Sequence, residues 1–207
     1  MESIDFGIVL LAAGASTRLG KPKQLLQYRG KSLLRHAVDV AIESGANHVV
    51  VALGANADQL EKEALQAGAK IIRNTDWEEG MASSIRHGLT ELLKIDPELE
   101  VVIFLVCDQP FVTKELLQKL LEEYQASGKS MIACAYGDSI GTPALFDKTI
   151  FGSLLKLEGD AGAKKVLTAS PGLVSTVHFP EGNIDIDTLA DYEKLLEANT
   201  GKQPRKE

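Results

Sequence analysis

The sequence has little of several features that mark common protein classes. It contains only two cysteines, Cys107 and Cys134, which form no Cys-x-x-Cys pair and no disulfide framework. No apolar run approaches the roughly 20 residues that a membrane-spanning helix needs. The N-terminus also lacks the basic start of a signal peptide. We therefore expect a cytoplasmic protein of a reducing compartment, with no membrane partner.

Basic residues are too few to make the chain a general binder of polyanions. Its formal net charge is −7, so no nucleic-acid partner is predicted, and any phosphate site must concentrate cations locally. Both common phosphate fingerprints, G-x-x-x-x-G-K-[ST] and G-x-G-x-x-G, are absent. No Ser-His-Asp arrangement can be argued either, because the four histidines fall in unrelated segments without metal-ligand spacing (His36, His48, His87 and His178).

Apolar runs and amphipathic segments alternate over the first two thirds of the chain. This alternation predicts an α/β fold of Rossmann-like, three-layer α/β/α type, with a mostly parallel sheet. After Gly137 the spacing becomes irregular, which we interpret as a substrate-side elaboration of the same domain because no linker intervenes. A single domain over 1–198 and a polar, disordered tail over 199–207 are expected. Predicted strands lie at 8–12, 49–53, 70–73, 101–106, 131–135, 143–146 and 174–179; helices lie at 33–42, 58–67, 81–93, 113–124, 151–157, 162–168 and 189–196.

The first predicted strand runs into a small, hydroxylated and cationic loop. Its apolar run stops at Gly14, and cations follow at Arg18 and Lys23. Small residues let backbone N–H groups approach an anion, and ligands of open α/β sheets bind at the carboxyl ends of strands. We predict a loop that binds phosphate rather than a strand-to-helix turn whose cations are only solvated. Arg18 and Lys23 are the catalytic candidates, and the nucleotide-binding candidates are Leu11, Ala12, Ala13, Gly14 and Ser16.

A carboxylate is expected beside that loop. Pro110 prevents the fourth strand of the sheet from continuing, which places Asp108 at the carboxyl edge. A carboxylate next to bound phosphate would repel it unless a cation lay between them, and Mg²⁺ is commonly held by one or two carboxylates with phosphate oxygens. We interpret Asp108 as a Mg²⁺ ligand rather than a helix cap, because Thr113 is better placed to cap the next helix.

Two further segments carry candidates from the residues alone. Asp185 and Asp187 alternate on one side of a predicted short strand, so either could complete the metal site, while Asp187 could equally be a plain helix cap. Gly80 begins a helix whose unpaired N–H groups, with the Ser83 and Ser84 hydroxyls, suit a nucleoside or a phosphate. Taken alone, the pattern favours an ordinary helix start with Trp77 packed nearby. The candidates of this second segment are Asn74, Gly80, Met81, Ser83 and Ser84.

Four motifs in this order resemble those of the nucleotidyltransferases related to molybdenum-cofactor enzymes. They are Leu-Ala-Ala-Gly-x-Ser-x-Arg-x-Gly-x-x-Lys from residue 11, Asn-x-x-Trp-x-x-Gly-Met-x-Ser-Ser-Ile from 74, Gly-x-Pro-x-x-Phe from 141 and Gly-Asp-x-Gly-Ala from 159. Within that group the chain is most similar to the molybdenum cofactor cytidylyltransferases. The resemblance spans residues 9–192, nearly the whole chain.

The resemblance implies a fold of the nucleotide-diphospho-sugar transferase (GT-A-like) type and a specific reaction. CTP would be the donor, the phosphate of molybdopterin-bound molybdenum the acceptor, and a molybdoenzyme the recipient of the product. Mg²⁺, with Mn²⁺ as the alternative, would be bound by Asp108 and by a late aspartate, for which we choose Asp187 over Asp185. Ala13 favours CTP, since guanylyltransferase relatives tend to have glycine there.

The acceptor side departs from the family pattern at several positions. It implies acceptor contacts from two segments, but Thr142 stands where His or Asn is often found, and residues 138–140 lack the usual basic character. The alternatives are therefore a cytidylyl- or guanylyltransferase acting on a sugar or polyol phosphate, and a non-catalytic cofactor carrier. The acceptor-binding candidates are Gly141, Thr142, Pro143, Gly159 and Asp160.

Overall fold

The computed structural model of the protein describes residues 4–65, 68–186 and 188–200. Nine strands and seven α-helices are assigned in these ranges. The strands are β1 (Phe6–Ala12), β2 (Gln27–Tyr28), β3 (Lys31–Ser32), β4 (His48–Leu53), β5 (Lys70–Arg73), β6 (Val101–Val106), β7 (Met131–Tyr136), β8 (Ser139–Asp147) and β9 (Val174–His178). The helices are α1 (Leu33–Glu43), α2 (Ala57–Leu65), α3 (Met81–Ile95), α4 (Lys114–Ser127), α5 (Phe151–Leu154), α6 (Ala163–Ala169) and α7 (Leu189–Thr200).

Seven strands form one sheet in the order β5-β4-β1-β6-β8-β7-β9, and β2 and β3 form a separate hairpin. The pairs β5–β4, β4–β1, β1–β6 and β7–β9 are parallel, whereas β8 is antiparallel to both β6 and β7. In the register of these strands Ala12 lies opposite Leu53, and Leu11 lies opposite Val106. The carboxyl ends of β1, β4 and β6 therefore meet at one edge of the sheet.

The sheet is buried on both faces, as the apolar run of the first strand predicts. Ile8 and Leu10 of β1 join a core with α1, α2 and α4, while Val9 and Leu11 join a second core with α3, α5 and α6. Side chains that alternate along one strand point to opposite faces. This arrangement confirms the predicted three-layer α/β/α architecture with a mostly parallel sheet.

The helix caps predicted from single residues are confirmed. The Ser32 hydroxyl accepts a hydrogen bond from the Arg35 backbone N–H at 3.1 Å and caps α1. Thr113 caps α4 in the same way, through the Leu116 N–H at 3.3 Å. Such caps satisfy N–H groups that have no partner within the helix and stabilise it by about 1 kcal/mol.

The greatest differences from the sequence prediction follow Gly137. The strand predicted at 143–146 is the nine-residue β8, which lies inside the sheet between β6 and β7. The predicted helix at 151–157 is shortened to the four residues of α5. The short strand predicted around Asp185 is wrong for the described residues 184–186, which form no strand. The hairpin β2–β3 was not predicted, since its strands are too short to show a period.

The end of the chain also differs slightly from expectation. Helix α7 continues to Thr200, two residues into the predicted tail. The rest of that tail, residues 201–207, lies outside the described residues, as does Asp187. None of the helices in the described ranges has both the length and the apolar character to cross a membrane.

Candidate active site

A cavity of about 460 Å³ opens at the carboxyl edge of β1 and β6. This is the edge at which open α/β sheets bind their ligands, and the volume is in the range of small-molecule sites. Residues from the first loop, from the start of α3, from the end of β6 and from the α5–α6 loop line it together. The lining residues are Leu11, Ala12, Ala13, Gly14, Ala15, Lys23, Gln24, Trp77, Glu78, Gly80, Met81, Ser84, Val106, Cys107, Asp108 and Asp160.

The first loop is held in shape by its own polar side chains. Gln24, which is buried, donates hydrogen bonds from Nε2 to the carbonyl oxygens of Ala12 at 3.1 Å and Gly14 at 2.9 Å. The Ser16 hydroxyl accepts a hydrogen bond from the Lys23 N–H at 3.1 Å and donates one to Gln24 Oε1 at 3.3 Å. Ser16, predicted to bind nucleotide, is absent from the cavity lining and braces the loop. Gln24 was not predicted.

Lys23 and Asp108 form the charged centre of the cavity. Lys23 Nζ lies 2.5 Å from Asp108 Oδ2, and the two side chains are only 18% and 16% exposed. The sequence separates them by 85 residues, and the parallel pairing of β1 with β6 brings them together. A cation and a carboxylate thus share one wall of the cavity. The backbone of Arg18 lies in a short 3-10 turn, Thr17–Leu19, but its side chain is outside the described part of the structure.

Cys107 also lines the cavity, but its thiol is not a nucleophile. Burial, together with the neighbouring charge of Asp108, raises the pKa of the Cys107 thiol to about 12. The thiolate is the reactive form of cysteine, so Cys107 stays neutral and unreactive near neutral pH. This agrees with the expectation that it fills core space at the strand end.

The turn before α3 divides its predicted residues between two roles. Asn74 is buried and donates from Nδ2 to the hydroxyls of Ser83 at 2.8 Å and Ser84 at 3.0 Å. Ser83 in turn donates to the Gly80 carbonyl at 2.9 Å. Asn74 and Ser83 therefore hold the turn from behind and do not line the cavity, whereas Gly80, Met81 and Ser84 do. Trp77 and Glu78, also in the lining, were not predicted as site residues, although an aromatic residue in a loop is a usable signal.

The two predicted acceptor segments lie in different places. Asp160 lines the cavity beside Gly80, and the Gly159 carbonyl accepts a hydrogen bond from the Ala82 N–H at 3.1 Å. Gly141, Thr142 and Pro143 lie on β8 and are not among the lining residues. Gly141 is packed so closely that a β-carbon there would lie 2.2 Å from the Tyr136 hydroxyl oxygen.

The late acidic segment returns to Asp108. The Ile186 N–H donates to the Asp108 carbonyl at 3.3 Å, and the Ile186 side chain is buried in a cluster with Leu26 and Tyr28 after the first loop. Asp185 is exposed. Burial raises the pKa of Tyr136, and the negative charge of Asp185 raises it further. Asp187, the preferred second metal ligand, lies outside the described residues, so the choice between the two stays a prediction.

Metal binding in this cavity would depend on few protein ligands. No group of three or more His, Cys, Asp or Glu side chains suited to a metal occurs in the part of the chain that the structure describes. Asp108 offers one carboxylate. That set fits Mg²⁺, which usually keeps several waters and takes one or two carboxylates with substrate phosphates. It does not fit a dedicated cage made by protein ligands alone.

Comparison with known proteins agrees with this geometry. The model of the MobA-like NTP transferase domain family matches residues 8–174. Nicotine blue oxidoreductase of Paenarthrobacter nicotinovorans is 33% identical over 197 residues, covering 91% of this chain and 95% of that protein. The crystal structure of Rv0371c from Mycobacterium tuberculosis H37Rv is 32% identical with a TM-score of 0.82, covering 95% of this chain and all of that one.

A second structure of the mycobacterial protein was solved in complex with manganese. It is 30% identical to this chain, with a TM-score of 0.78, over 94% of this chain and 99% of that one. The family match, the near-complete coverage and the shared fold agree with the architecture described above. The chain belongs to the MobA-like NTP transferase family and is a nucleotidyltransferase.

Proposed function

We propose that this protein transfers CMP from CTP to the phosphate of molybdopterin-bound molybdenum cofactor and releases pyrophosphate. The observation that carries the proposal is the Lys23–Asp108 pair, 2.5 Å apart, in a cavity bounded by the first loop and the start of α3. Nucleotidyl transfer needs no protein nucleophile: an acceptor phosphate oxygen attacks the α-phosphorus of the triphosphate, and pyrophosphate leaves. The protein must position both reactants and stabilise charge.

The first loop has the parts for the triphosphate. Backbone N–H groups of residues 13–17 would hold the phosphates, with Gly14 exposed at the cavity. Arg18 would neutralise the leaving pyrophosphate. Lys23 would exchange its contact with Asp108 for one with the α-phosphate and the acceptor. These roles require cations in a chain of net charge −7, and the loop supplies them locally.

A divalent metal fits beside the same loop. Asp108 and Asp187 would hold Mg²⁺, with Mn²⁺ as the alternative, and the return of residues 184–186 to Asp108 supports this pairing. The manganese complex of the mycobacterial relative supports divalent metal use. When bound, such an ion supplies charge stabilisation to phosphate oxygens and a template for the displacement.

The acceptor would bind on the side of the cavity formed by the α5–α6 loop. Asp160 lines the cavity and Gly159 lies next to it. Gly141, Thr142 and Pro143 do not line the cavity and would contribute only to a larger acceptor surface. A different phosphorylated acceptor, such as a sugar or polyol phosphate, is the alternative with the same chemistry. A cytoplasmic location and a molybdoenzyme that receives the product belong to the same proposal.

A second candidate function comes from one relative. The protein from Paenarthrobacter nicotinovorans, 33% identical over nearly the whole chain, is named an oxidoreductase. If this chain shared that chemistry, its cavity would bind a redox-active substrate rather than transfer a nucleotidyl group. The non-catalytic carrier hypothesis predicts neither reaction.

One screen separates these possibilities. CTP, GTP, ATP and UTP are each combined with molybdopterin-bound molybdenum, a sugar phosphate and a polyol phosphate in the presence of Mg²⁺, and pyrophosphate is followed. We expect release with the pterin acceptor only, fastest with CTP and more slowly with GTP. Release with another acceptor would support the alternative transferase, and no release with any pair would contradict transferase function. Parallel reactions with NADH or NADPH and a pterin or quinone-type oxidant would detect the redox activity.

A further inference from the structure

Hydrogen bonds join the turn before α3 to the loop between α5 and α6, beside the cavity. The Ala82 N–H donates to the Gly159 carbonyl at 3.1 Å, and the Gly159 N–H donates to Glu79 Oε1 at 3.3 Å. Gly80 allows this approach, since a β-carbon at position 80 would lie 2.5 Å from both Asp160 Oδ1 and the Gly159 carbonyl oxygen. Asp160 is thereby fixed over the first turn of α3.

An ion pair braces this contact from outside the cavity. The Arg86 guanidinium donates two hydrogen bonds to the Glu79 carboxylate, from Nη1 to Oε1 at 2.8 Å and from Nη2 to Oε2 at 2.6 Å. Arg86 Nη1 also donates to the Leu157 carbonyl at 2.5 Å. Neither of the two residues lines the active-site cavity. Their contacts reach Leu157 and Gly159, which lie in the chain segment just before Asp160.

The geometry of this pair goes beyond a usual surface salt bridge. Exposed ion pairs contribute little to stability, but two parallel N–H···O bonds from arginine to a carboxylate add geometric specificity. Here the same guanidinium also binds a backbone carbonyl across 71 residues of sequence. Asp160 lines the cavity that we propose binds phosphates. An ionised carboxylate only accepts hydrogen bonds, so the group of a substrate that it binds directly is an O–H or N–H donor.

We infer that Glu79 and Arg86 are positioning residues that set the place of Asp160 in the cavity, and that Asp160 accepts a hydrogen bond from an O–H or N–H group of a bound substrate. The inference rests on the proposed nucleotidyl transfer for its substrates. It does not depend on which acceptor is used. Loosening the loop would displace Asp160, and a displacement of about 1 Å at a site can cost up to about 10²-fold in rate.

A double-mutant cycle tests the link between Arg86 and Asp160. We expect Arg86→Met and Asp160→Asn each to lower kcat/KM by about tenfold or more, through the KM of the same substrate. Because Arg86 acts through Asp160, the double variant should be no worse than Asp160→Asn alone. Effects that multiply, wild-type kinetics in Arg86→Met, or changes in the KM of different substrates would overturn the inference.

A matched control and a conservative variant complete the cycle. Lys148→Met removes another surface ion pair, Lys148 to Glu100 at 2.8 Å, at the opposite edge of the sheet, and should leave the kinetics unchanged. Arg86→Lys keeps the charge but loses the two-point contact, so we expect only partial recovery relative to Arg86→Met. Full recovery would show that charge alone matters and would contradict the positioning role.

Two readouts keep the inference separate from the proposed function. Amide hydrogen exchange of the Ala82 and Gly159 N–H groups should quicken in Arg86→Met and not in Lys148→Met, whether or not the protein turns over CTP. Trp77, the only tryptophan, lines the cavity, so its fluorescence reports nucleotide binding without turnover. If no pyrophosphate is released but these amides respond and the Asp160→Asn and Arg86→Met variants weaken binding of the same substrate equally, whether CTP or the acceptor, the proposed reaction is wrong and the positioning role stands. Unchanged exchange would overturn the positioning role.

Discussion

At the scale of single residues, Lys23 and Asp108 balance each other's charge inside the cavity. Both side chains are less than a fifth exposed. Water therefore compensates poorly for the loss of either partner, unlike in a surface ion pair. Each charge also has a second expected partner in catalysis, a phosphate for the lysine and a metal for the aspartate. The pair is thus a resting arrangement that substrate binding is expected to open.

The first prediction concerns Asp108. We expect Asp108→Asn to abolish nucleotidyl transfer while the protein stays folded, because a neutral amide binds Mg²⁺ much more weakly than a carboxylate does. Turnover at saturating Mg²⁺, measured beside circular dichroism of the same sample, checks this. Near wild-type turnover in the variant would disprove the metal assignment.

Two neighbouring variants sharpen that test. Asp187→Asn should reduce turnover and raise the Mg²⁺ concentration needed for half-maximal rate, since Asp187 is the proposed second ligand. Asp185→Asn should leave the Mg²⁺ requirement unchanged, since Asp187 and not Asp185 is the proposed ligand. The reverse pattern would assign the second ligand to Asp185.

The second prediction concerns the cations of the first loop. We expect Lys23→Ala and Arg18→Ala each to lower kcat by about 10²-fold or more, since each would remove a charge that stabilises the transition state. Lys21→Ala is the matched control, because Lys21 is exposed in the same loop and is not among the cavity-lining residues. If Lys23→Ala and Arg18→Ala behaved like the control, the loop would be structural only.

The third prediction concerns the donor base. Ala13 lines the cavity with Trp77 and Gly80, and we expect its methyl group to occupy space that a purine would need. One methyl group is worth about 1–3 kcal/mol of discrimination, or about 10- to 200-fold, so CTP should be preferred over GTP without full exclusion. Ala13→Gly should shift kcat/KM toward GTP. A wild type that prefers GTP, or a variant with an unchanged ratio, would refute this account of the pocket.

Residue types at the site were easier to predict from sequence than the direction in which each side chain points. Asp108 and Lys23 follow from strand ends and charge. Ser16, Asn74 and Ser83 carry the same polar groups, yet they bond within their own turns. A hydroxyl or amide can serve either a ligand or the backbone, and only the packing of the turn decides. Gln24 was missed for the same reason.

At the scale of elements, local signals predicted what local interactions form. Caps at Ser32 and Thr113 and the apolar periods of α1, α3 and α4 depend on residues a few positions apart, and these elements were predicted close to their bounds. Strand β8 depends on pairing with β6 and β7, from Val101↔Asp147 to Tyr136↔Ser139. No short window of sequence carries that pairing, so the strand was predicted at half its length and without its neighbours.

The fourth prediction concerns the joint between α3 and the α5–α6 loop. Gly80 has φ 121°, where an L side chain is strained, and a β-carbon would also meet Gly159. We expect Gly80→Ala to lower the free energy of unfolding by about 1–3 kcal/mol. Gly152→Ala on α5 is the control: it is exposed with no atom within 4 Å of the added carbon, so it should be neutral or slightly stabilising. Equal changes in the free energy of unfolding for the two variants, measured by urea titration, would contradict the close contact between the start of α3 and the α5–α6 loop.

At the scale of the whole molecule, β8 and β9 place the last third of the chain in the sheet that the first two thirds begin. β8 lies between β6 and β7, and β9 pairs with β7 at the edge. The core beside α3 also includes residues of α5 and α6. Residues after Gly137 therefore complete the sheet and one of its two cores, which supports our proposal of a single folding unit.

The fifth prediction follows from the position of β8 between β6 and β7. Urea unfolding should be one cooperative transition, because breaking β8 away exposes strands on both sides of it at once. Trp77 fluorescence reports from the cavity and far-ultraviolet circular dichroism reports from all helices and strands, so the two curves should share one midpoint and slope. A chain cut after Gly137 should lack a cooperative transition, since it keeps β6 and β7 without the strand that joins them. Two separate midpoints in the full chain, or cooperative unfolding of the cut chain, would show that the first part folds alone.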